Sequence, residues 1–376
     1  MSGVGAPLTD IHAHPAMNAF LWDRDLRRHY GTGGGAFNPL ASLSDFPMLE
    51  RGGVGVLWSS LHVPEKELLS KLPIRLLATT TSGGRMLLAR DAWACLLAMH
   101  AEMERQVARA DARFEVVRSN AELDAAVAAG RTAIVHTVEG GHVLGAGLAD
   151  DDVPGRLERV DRLAALGVAS LTLAHLFPNE LAGHADGIPA GLLRRLLPSA
   201  RVDLARGLSS VGRAVVERMV ARRMVVDVAH CTPTARAEVY AAVAGRAPVV
   251  ATHVGLRALN PSAPYDLDES DVRAIAASGG VVGVIFMPYW LDARHPRNGL
   301  DAIWRTMERI RAWTGSWEHV AIGTDFDGFT DPPDDCRSAA DLPKVRDLLT
   351  ARGLTPADVD AVLGGNARRV LRDGWR

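Results

Sequence analysis

The run Leu8-Thr9-Asp10-Ile11-His12, followed at once by Ala13-His14, is short, largely apolar and closes on two imidazoles. Seven more runs along the chain share its length and character: Val54–Ser59, Ala133–Val138, Val168–Ala174, Met224–Ala229, Pro248–Thr252, Val281–Phe286 and Val320–Thr324. Each is apolar on nearly every residue, the pattern of parallel strands buried on both faces. Helical patterns fill the gaps, among them Arg85–Arg109, Asp152–Leu166, Ser209–Arg222, Thr232–Val243 and Glu269–Ala277. Within Asp152–Leu166 the apolar positions Leu157, Val160, Leu163 and Leu166 fit one helix face. Eight strands alternating with helices predict an α/β protein, a single (β/α)8 TIM-type barrel over residues 1–376. A doubly wound open sheet is the other architecture that the periodicity allows.

The strand ends carry the chemistry. The first run closes on His12 and His14, the third on Glu139 with Gly140, Gly141 and His142 behind it, and the fourth on His175. The fifth closes on His230, the sixth on His253 and the eighth on Asp325. In a barrel all strands point the same way, so these residues converge on one mouth. Imidazoles and carboxylates are suitable ligands for zinc or a similar divalent ion. His12 and His14, two apart on a strand, point to the same side. A lone histidine at a strand end is more often packed or solvated than a ligand; five of them with a Glu and an Asp, all in the same phase, form a set. His100, His142, His184, His295 and His319 lack that phase and are read as ordinary histidines, and His136 faces opposite to Glu139 and is read as structural. Cys231, beside His230, is read as a small buried residue.

Composition narrows the class. The chain has 376 residues, 48% hydrophobic and 23% charged, which excludes general disorder. With 42 basic and 44 acidic residues and a net charge of −2, nothing favours nucleic acid or an anionic membrane as a partner. The three cysteines are widely spaced and include no CxxC, so a reducing compartment is expected. No signal peptide is visible in MSGVGAPLTD, and the longest apolar stretch, Gly279 to Leu291, is 13 residues against the roughly 20 that a membrane span needs. A cytoplasmic protein is expected. No GxxxxGK[ST], GxGxxG or GxSxG occurs in a fitting context. Residues 15–50 and 176–208 are long loops following strand ends, and are expected at the mouth; whether the first forms a lid or the contact of a homodimer is left open by the sequence.

The sequence resembles the renal, or membrane, dipeptidase family of zinc metallopeptidases, within the amidohydrolase superfamily. The likeness runs through Asp10–Pro15, Asp45–Ser60, Val138–His142 (VEGGH), Leu171–His175 (LTLAH), Gly207–Gly212 (GLSSVG), Val226–Thr232 (VDVAHCT), His253, Gly279–Phe286, Ile322–Gly328 (IGTDFDG) and Gly364–Val370 (GGNARRV). The resemblance implies two zinc ions per chain. His12 and His14 would bind one, His230 and His253 the other, and Glu139 would bridge them. His175 would contact the substrate or the tetrahedral intermediate, and Asp325 would be the acid/base residue. The implied reaction is cleavage of the amide bond of a dipeptide or similar small peptide-like substrate by a metal-bridging hydroxide. Such a site acidifies water and polarises the carbonyl.

Three positions depart from the family pattern. The family usually has Asp where this chain has His14, so one anionic ligand becomes neutral. The Arg expected about eleven residues after His253, which would hold a dipeptide carboxylate, is missing from Asn260-Pro261-Ser262-Ala263-Pro264-Tyr265; Arg257 is the nearest candidate. A substrate-contacting Tyr after the seventh strand appears as Met287, with Tyr289 two residues on. Hydrolysis of another amide, an N-acyl compound or a lactone is therefore the alternative activity. A metal-binding protein without catalysis is the alternative of another class, against which Asp325 argues.

Overall fold

In the computed structural model, which describes residues 7–32, 41–185, 201–292 and 299–376, nine strands lie in one sheet. They are β1 (Leu8–Ala13), β2 (Val54–His62), β3 (Phe114–Val117), β4 (Thr132–Glu139), β5 (Ser170–Thr172), β6 (Val225–Asp227), β7 (Val249–Val254), β8 (Val282–Val284) and β9 (Val320–Ile322). Their order is β2-β1-β9-β8-β7-β6-β5-β4-β3, and β4 also pairs with β2. That last ladder runs in parallel from Val56↔Ala133 to His62↔Glu139 and closes eight strands into a barrel. Closure excludes the open sheet. The ninth strand, β3, was not expected: Phe114-Glu115-Val116-Val117 pairs only with the first half of β4 and stands outside the ring.

The strand alternation sorts side chains into two layers. Ile11, Val56, Trp58, Ala133, Val135, Ala169, Val225, Val250, Val281 and Ala321 belong to one buried cluster that fills the barrel. Ile134, Val138, Leu171, Val226 and Val284 belong to the other, packed under the helices. A β-strand presents alternate residues to opposite faces, so Glu139 shares the barrel parity of Val135 while His136 shares that of Ile134. The helix Asn366–Gly374 adds Ala367, Val370 and Leu371 to the barrel cluster and closes its lower end.

Several helices begin where their caps dictate. Asp152, Ser209 and Thr232 accept the backbone N–H of Gly155, Gly212 and Ala235 at 2.9, 2.9 and 3.1 Å. Arg85–Arg109 is two helices rather than one, Ser82–Ala89 and Ala92–Arg109. Arg90 is extended and Asp91 caps the second helix by accepting from Ala94 N at 2.8 Å. Residues 15–50 are not a plain loop either, since Pro15–Leu21 and Phe46–Arg51 are helical. Parts of the two expected mouth loops, residues 33–40 and 186–200, lie outside the described residues, as does His295. Among the described residues no helix is long and apolar enough to cross a membrane.

Candidate metal centre

Two buried carboxylates tie the strand ends together beneath the mouth. Asp10 accepts from Thr324 N at 3.0 Å and Thr324 Oγ1 at 2.6 Å, joining β1 to the end of β9. Asp227 accepts from Thr172 Oγ1 and Thr252 Oγ1, both at 2.6 Å, joining β6 to β5 and β7. It also accepts Ala229 N and Thr252 N, at 3.0 and 3.1 Å. Thr324 N and Thr252 N thus donate to a carboxylate side chain rather than to a neighbouring strand's backbone. The chain then rises into the mouth. His175, His230 and Asp325 each stand three residues past the last residue of β5, β6 and β9. His230 and Asp325 have φ of 63° and 59°, the left-handed region that non-glycine residues seldom occupy. Such strain persists where the surrounding structure over-determines it, typically at functional sites.

The converging side chains surround Glu139. His12 Nε2 and His14 Nε2 lie 3.0 Å apart on one side, and His230 Nε2 and His253 Nε2 lie 3.0 Å apart on the other. Glu139 Oε1 is 3.4 Å from His12, 3.2 Å from His230 and 3.3 Å from His253. Its Oε2 is 3.5 Å from His14. Asp325 Oδ1 sits at 3.1 Å from His14 Nε2. His175 Nε2 is 3.8 Å from Glu139 Oε2, and its Nδ1 is 2.7 Å from Glu65 Oε1. All of these side chains are buried or nearly so.

The donor set fits a divalent cation. Ligand bonds of about 2.0–2.2 Å in a tetrahedron put ligand atoms roughly 3.3–3.6 Å apart, close to the spacing around Glu139. His12, His14 and Asp325 form one group of ligating atoms, and His12, Glu139 and His253 form another. His253 Nδ1 lies 2.9 Å from Thr252 Oγ1, which leaves Nε2 to the cluster. Burial first, and then the charge of His175, pushes His230 down to about 3, so its imidazole is neutral and free to act as a donor to a metal. Burial by itself would raise Glu139 and Asp325. The imidazoles of His175 and His12 outweigh it at Glu139, and those of His14 and His253 at Asp325, and both carboxyls fall below their ordinary value. Burial would also neutralise His175, but Glu65 and Glu139 override it and raise its pKa to about 9. Glu65 thus favours the protonated form of His175 and holds its ring in place.

The mouth opens into a cavity of about 460 Å³. Of the expected substrate contacts, His175 and Tyr289 line it, and the Tyr289 hydroxyl is buried with no hydrogen-bond partner. Arg257 does not. Its guanidinium pairs with Asp268 Oδ2 at 3.2 Å in a separate cleft beside Trp313, because its chain follows the turn Leu256–Asn260 away from the mouth. Two buried residues at the site escaped the sequence reading. His62 ends β2 with Nδ1 3.5 Å from Glu139 Oε2, and Glu65 follows three residues later. A strand read to its full length would have placed His62 in the same phase as the others; nothing in Pro64-Glu65-Lys66-Glu67 marks Glu65.

Among the described residues, four further histidines have other partners. His142 Nε2 lies 2.9 Å from Val63 O and His319 Nδ1 3.0 Å from Gly280 O. His100 and His136 face Glu104 at 3.7 and 3.6 Å between barrel and helix, where Arg118 holds both oxygens of that carboxylate at 2.6–2.7 Å. Cys231 is buried, and burial pushes its thiol up to about 12, which removes it as a nucleophile.

Comparison with known proteins agrees with this architecture. A family model described as membrane dipeptidase (peptidase family M19) matches residues 7–374. An uncharacterized protein from the pqqA 5′ region of Klebsiella pneumoniae is 32% identical over 242 residues, covering 62% of this chain and 81% of that one. An uncharacterized dipeptidase of Schizosaccharomyces pombe is 29% identical, the match covering 55% of this chain and 47% of the relative. A dipeptidase of Claviceps purpurea is 27% identical over 55% of this chain and 45% of its own. The match thus spans about half the length of those two fungal relatives. Among solved structures, a metallopeptidase from Rhodobacter sphaeroides liganded with a phosphinate mimic of the dipeptide L-Ala-D-Ala shares the fold. Its TM-score is 0.77 at 19% identity, with 99% of this chain and 100% of that one covered. A family M19 dipeptidase superposes with a TM-score of 0.76 at 21% identity, over 99% of both chains.

Proposed function

The chain belongs to the membrane dipeptidase family, and on that footing we propose that it is a zinc-dependent hydrolase that cleaves the amide bond of dipeptides or similar small peptide-like compounds, with two ions per chain. The observation that carries the reading is the position of Glu139, whose carboxylate lies within 3.5 Å of both the His12–His14 pair and the His230–His253 pair. Those five residues would hold the ions. The phosphinate mimic in the Rhodobacter structure makes dipeptides with a D-residue at the C-terminal position the first substrates to try. The three free, buried cysteines, Cys95, Cys231 and Cys336, support a reducing, cytoplasmic setting.

Zinc ions held there would supply Lewis-acid polarisation of the scissile carbonyl and would lower the pKa of water at the site. Asp325, ionised and at the edge of the cluster, takes the proton of the attacking water and delivers it to the leaving amine. His175, cationic and oriented by Glu65, donates Nε2–H to the carbonyl oxygen as that atom gains charge. Glu139 remains a carboxylate throughout. The test is Asp325→Asn, which keeps the shape but cannot shuttle the proton. Metal content by mass spectrometry should stay at the wild-type level while kcat falls by roughly 10²-fold or more. Wild-type turnover in this variant would remove Asp325 from the mechanism.

A further inference from the structure

The cavity above the metal cluster has charged groups only at its floor. Its floor is Glu139, Asp325 and the imidazoles; its walls are Met17, Leu21, Trp22, Leu77, Met287 and Phe329, with further leucines between them. Among the described residues that line it there is no Lys or Arg. Arg257 is engaged by Asp268 in its own cleft. The apolar wall also continues outward. Leu77, on the helix Leu72–Ala78, is 41% exposed and Phe329 is 43% exposed, although both line the cavity. Large apolar side chains kept in water at the rim of a pocket mark a surface that an apolar ligand covers. A volume of about 460 Å³ falls in the range of pockets that enclose drug-sized ligands and is far more than an alanyl methyl fills.

We propose that the substrate carries a bulky hydrocarbon arm beside its scissile amide and no free carboxylate at the end that enters this cavity, as in a peptide amide or an N-acyl amino-acid amide. The inference rests on the hydrolase reading above and narrows its substrate class. The reaction is unchanged: water adds across the C–N bond, its oxygen goes to the acyl carbon and a proton to the departing amine. An apolar arm gains by leaving water, by an amount equivalent to roughly fourfold in affinity per buried methylene. A carboxylate entering between the same walls would lose its hydration with no Lys or Arg, among the described residues that line them, to replace it.

The experiment has two readouts. The first is kcat/KM of the zinc-loaded enzyme on Ala-Ala and Leu-Phe, each as free acid and as C-terminal amide, and on N-decanoyl-alanine amide. The second is calorimetric binding of non-hydrolysable phosphinate dipeptide analogues bearing either a methyl or a benzyl arm, again as acid and amide. The apolar, blocked compounds should be preferred by tenfold or more in both. Equal or better use of Ala-Ala free acid, with tighter binding of the methyl acid analogue, would overturn the proposal. Preferential binding of the benzyl amide without turnover of any amide would uphold the pocket's selectivity and overturn the hydrolase reading instead. Leu77→Arg places a cation on the wall. It should shift the preference at least tenfold toward the free acids with zinc content unchanged, and an unmoved preference would count against the pocket as the selective element.

Discussion

Glu65 Oε1 lies 2.7 Å from His175 Nδ1, and the two residues are 110 positions apart in the chain. The contact orients the imidazole that we propose donates to the scissile carbonyl, and favours its protonated form. Glu65→Gln keeps a hydrogen-bond acceptor but removes the charge that makes His175 cationic. We expect zinc content and KM close to wild type and a kcat lower by roughly 10–10²-fold, less than the roughly 10²–10³-fold lost when an oxyanion donor is removed outright, because the imidazole itself stays. An unchanged kcat would reduce Glu65 to a packing role, and Glu65→Asp should recover part of the loss if the charge is what counts.

Glu139 joins the two histidine pairs, so its removal should be felt as metal loss rather than as slower chemistry alone. Glu139→Ala is expected to retain at least one zinc fewer per chain after dialysis, measured by plasma mass spectrometry. The fold should survive, because Glu139 ends β4 above the apolar layers that hold the barrel together. Two ions retained at full occupancy would mean that the carboxylate does not bridge.

The barrel and most of this cluster were legible in the sequence because one geometric rule acts on both. Parallel strands buried on two faces read as short apolar runs, and their ends share one rim. His12, His230 and His253 could therefore be placed together from their phase alone. What failed was local. Ser59 and Ser60 are polar yet fully buried, so β2 looked three residues shorter than it is and His62 was passed over. β3 is four residues long and outside the ring, too short to register as a strand. Asp91 caps a helix within what reads as a continuous apolar pattern. Arg257 was chosen for its distance along the chain from His253, a measure blind to the Asp268 carboxylate that claims it. Glu65 depends on a contact between distant segments, which no periodicity carries.

His100 offers a pH test away from the metal centre. Burial, then the neighbouring His136, lowers its pKa from 6.5 to about 4, although Glu104 opposes the shift and Arg118 adds to it. The unfolded chain takes up this proton near pH 6.5, while the folded protein refuses it until about pH 4. The unfolded state binds more protons in that window, so stability is full above 6.5 and declines as pH falls toward 4. In His100→Gln that part of the decline should vanish, giving a smaller drop in Tm between pH 7 and pH 4.5 than in the zinc-loaded wild type. Parallel losses in the two proteins would show that His100 does not titrate in this way.

Gly328 tests whether the position of Asp325, rather than its presence, sets the rate. A Cβ on Gly328 would stand 2.1 Å from Asp325 Oδ1 and 2.8 Å from His14 Cδ2, so the carboxylate would have to swing away from the cluster. The backbone there does not require glycine, since its φ is not in the left-handed region, and the effect of Gly328→Ala is therefore steric at the site. A displacement of about 1 Å in a reacting group can cost on the order of 10²-fold in rate. We expect kcat to fall by roughly 10–10²-fold with Tm within a few degrees of wild type and with both histidine pairs still loaded. If kcat holds while crystallography shows Asp325 displaced, the proton must travel by another group, and the assignment of Asp325 as the shuttle would have to be withdrawn.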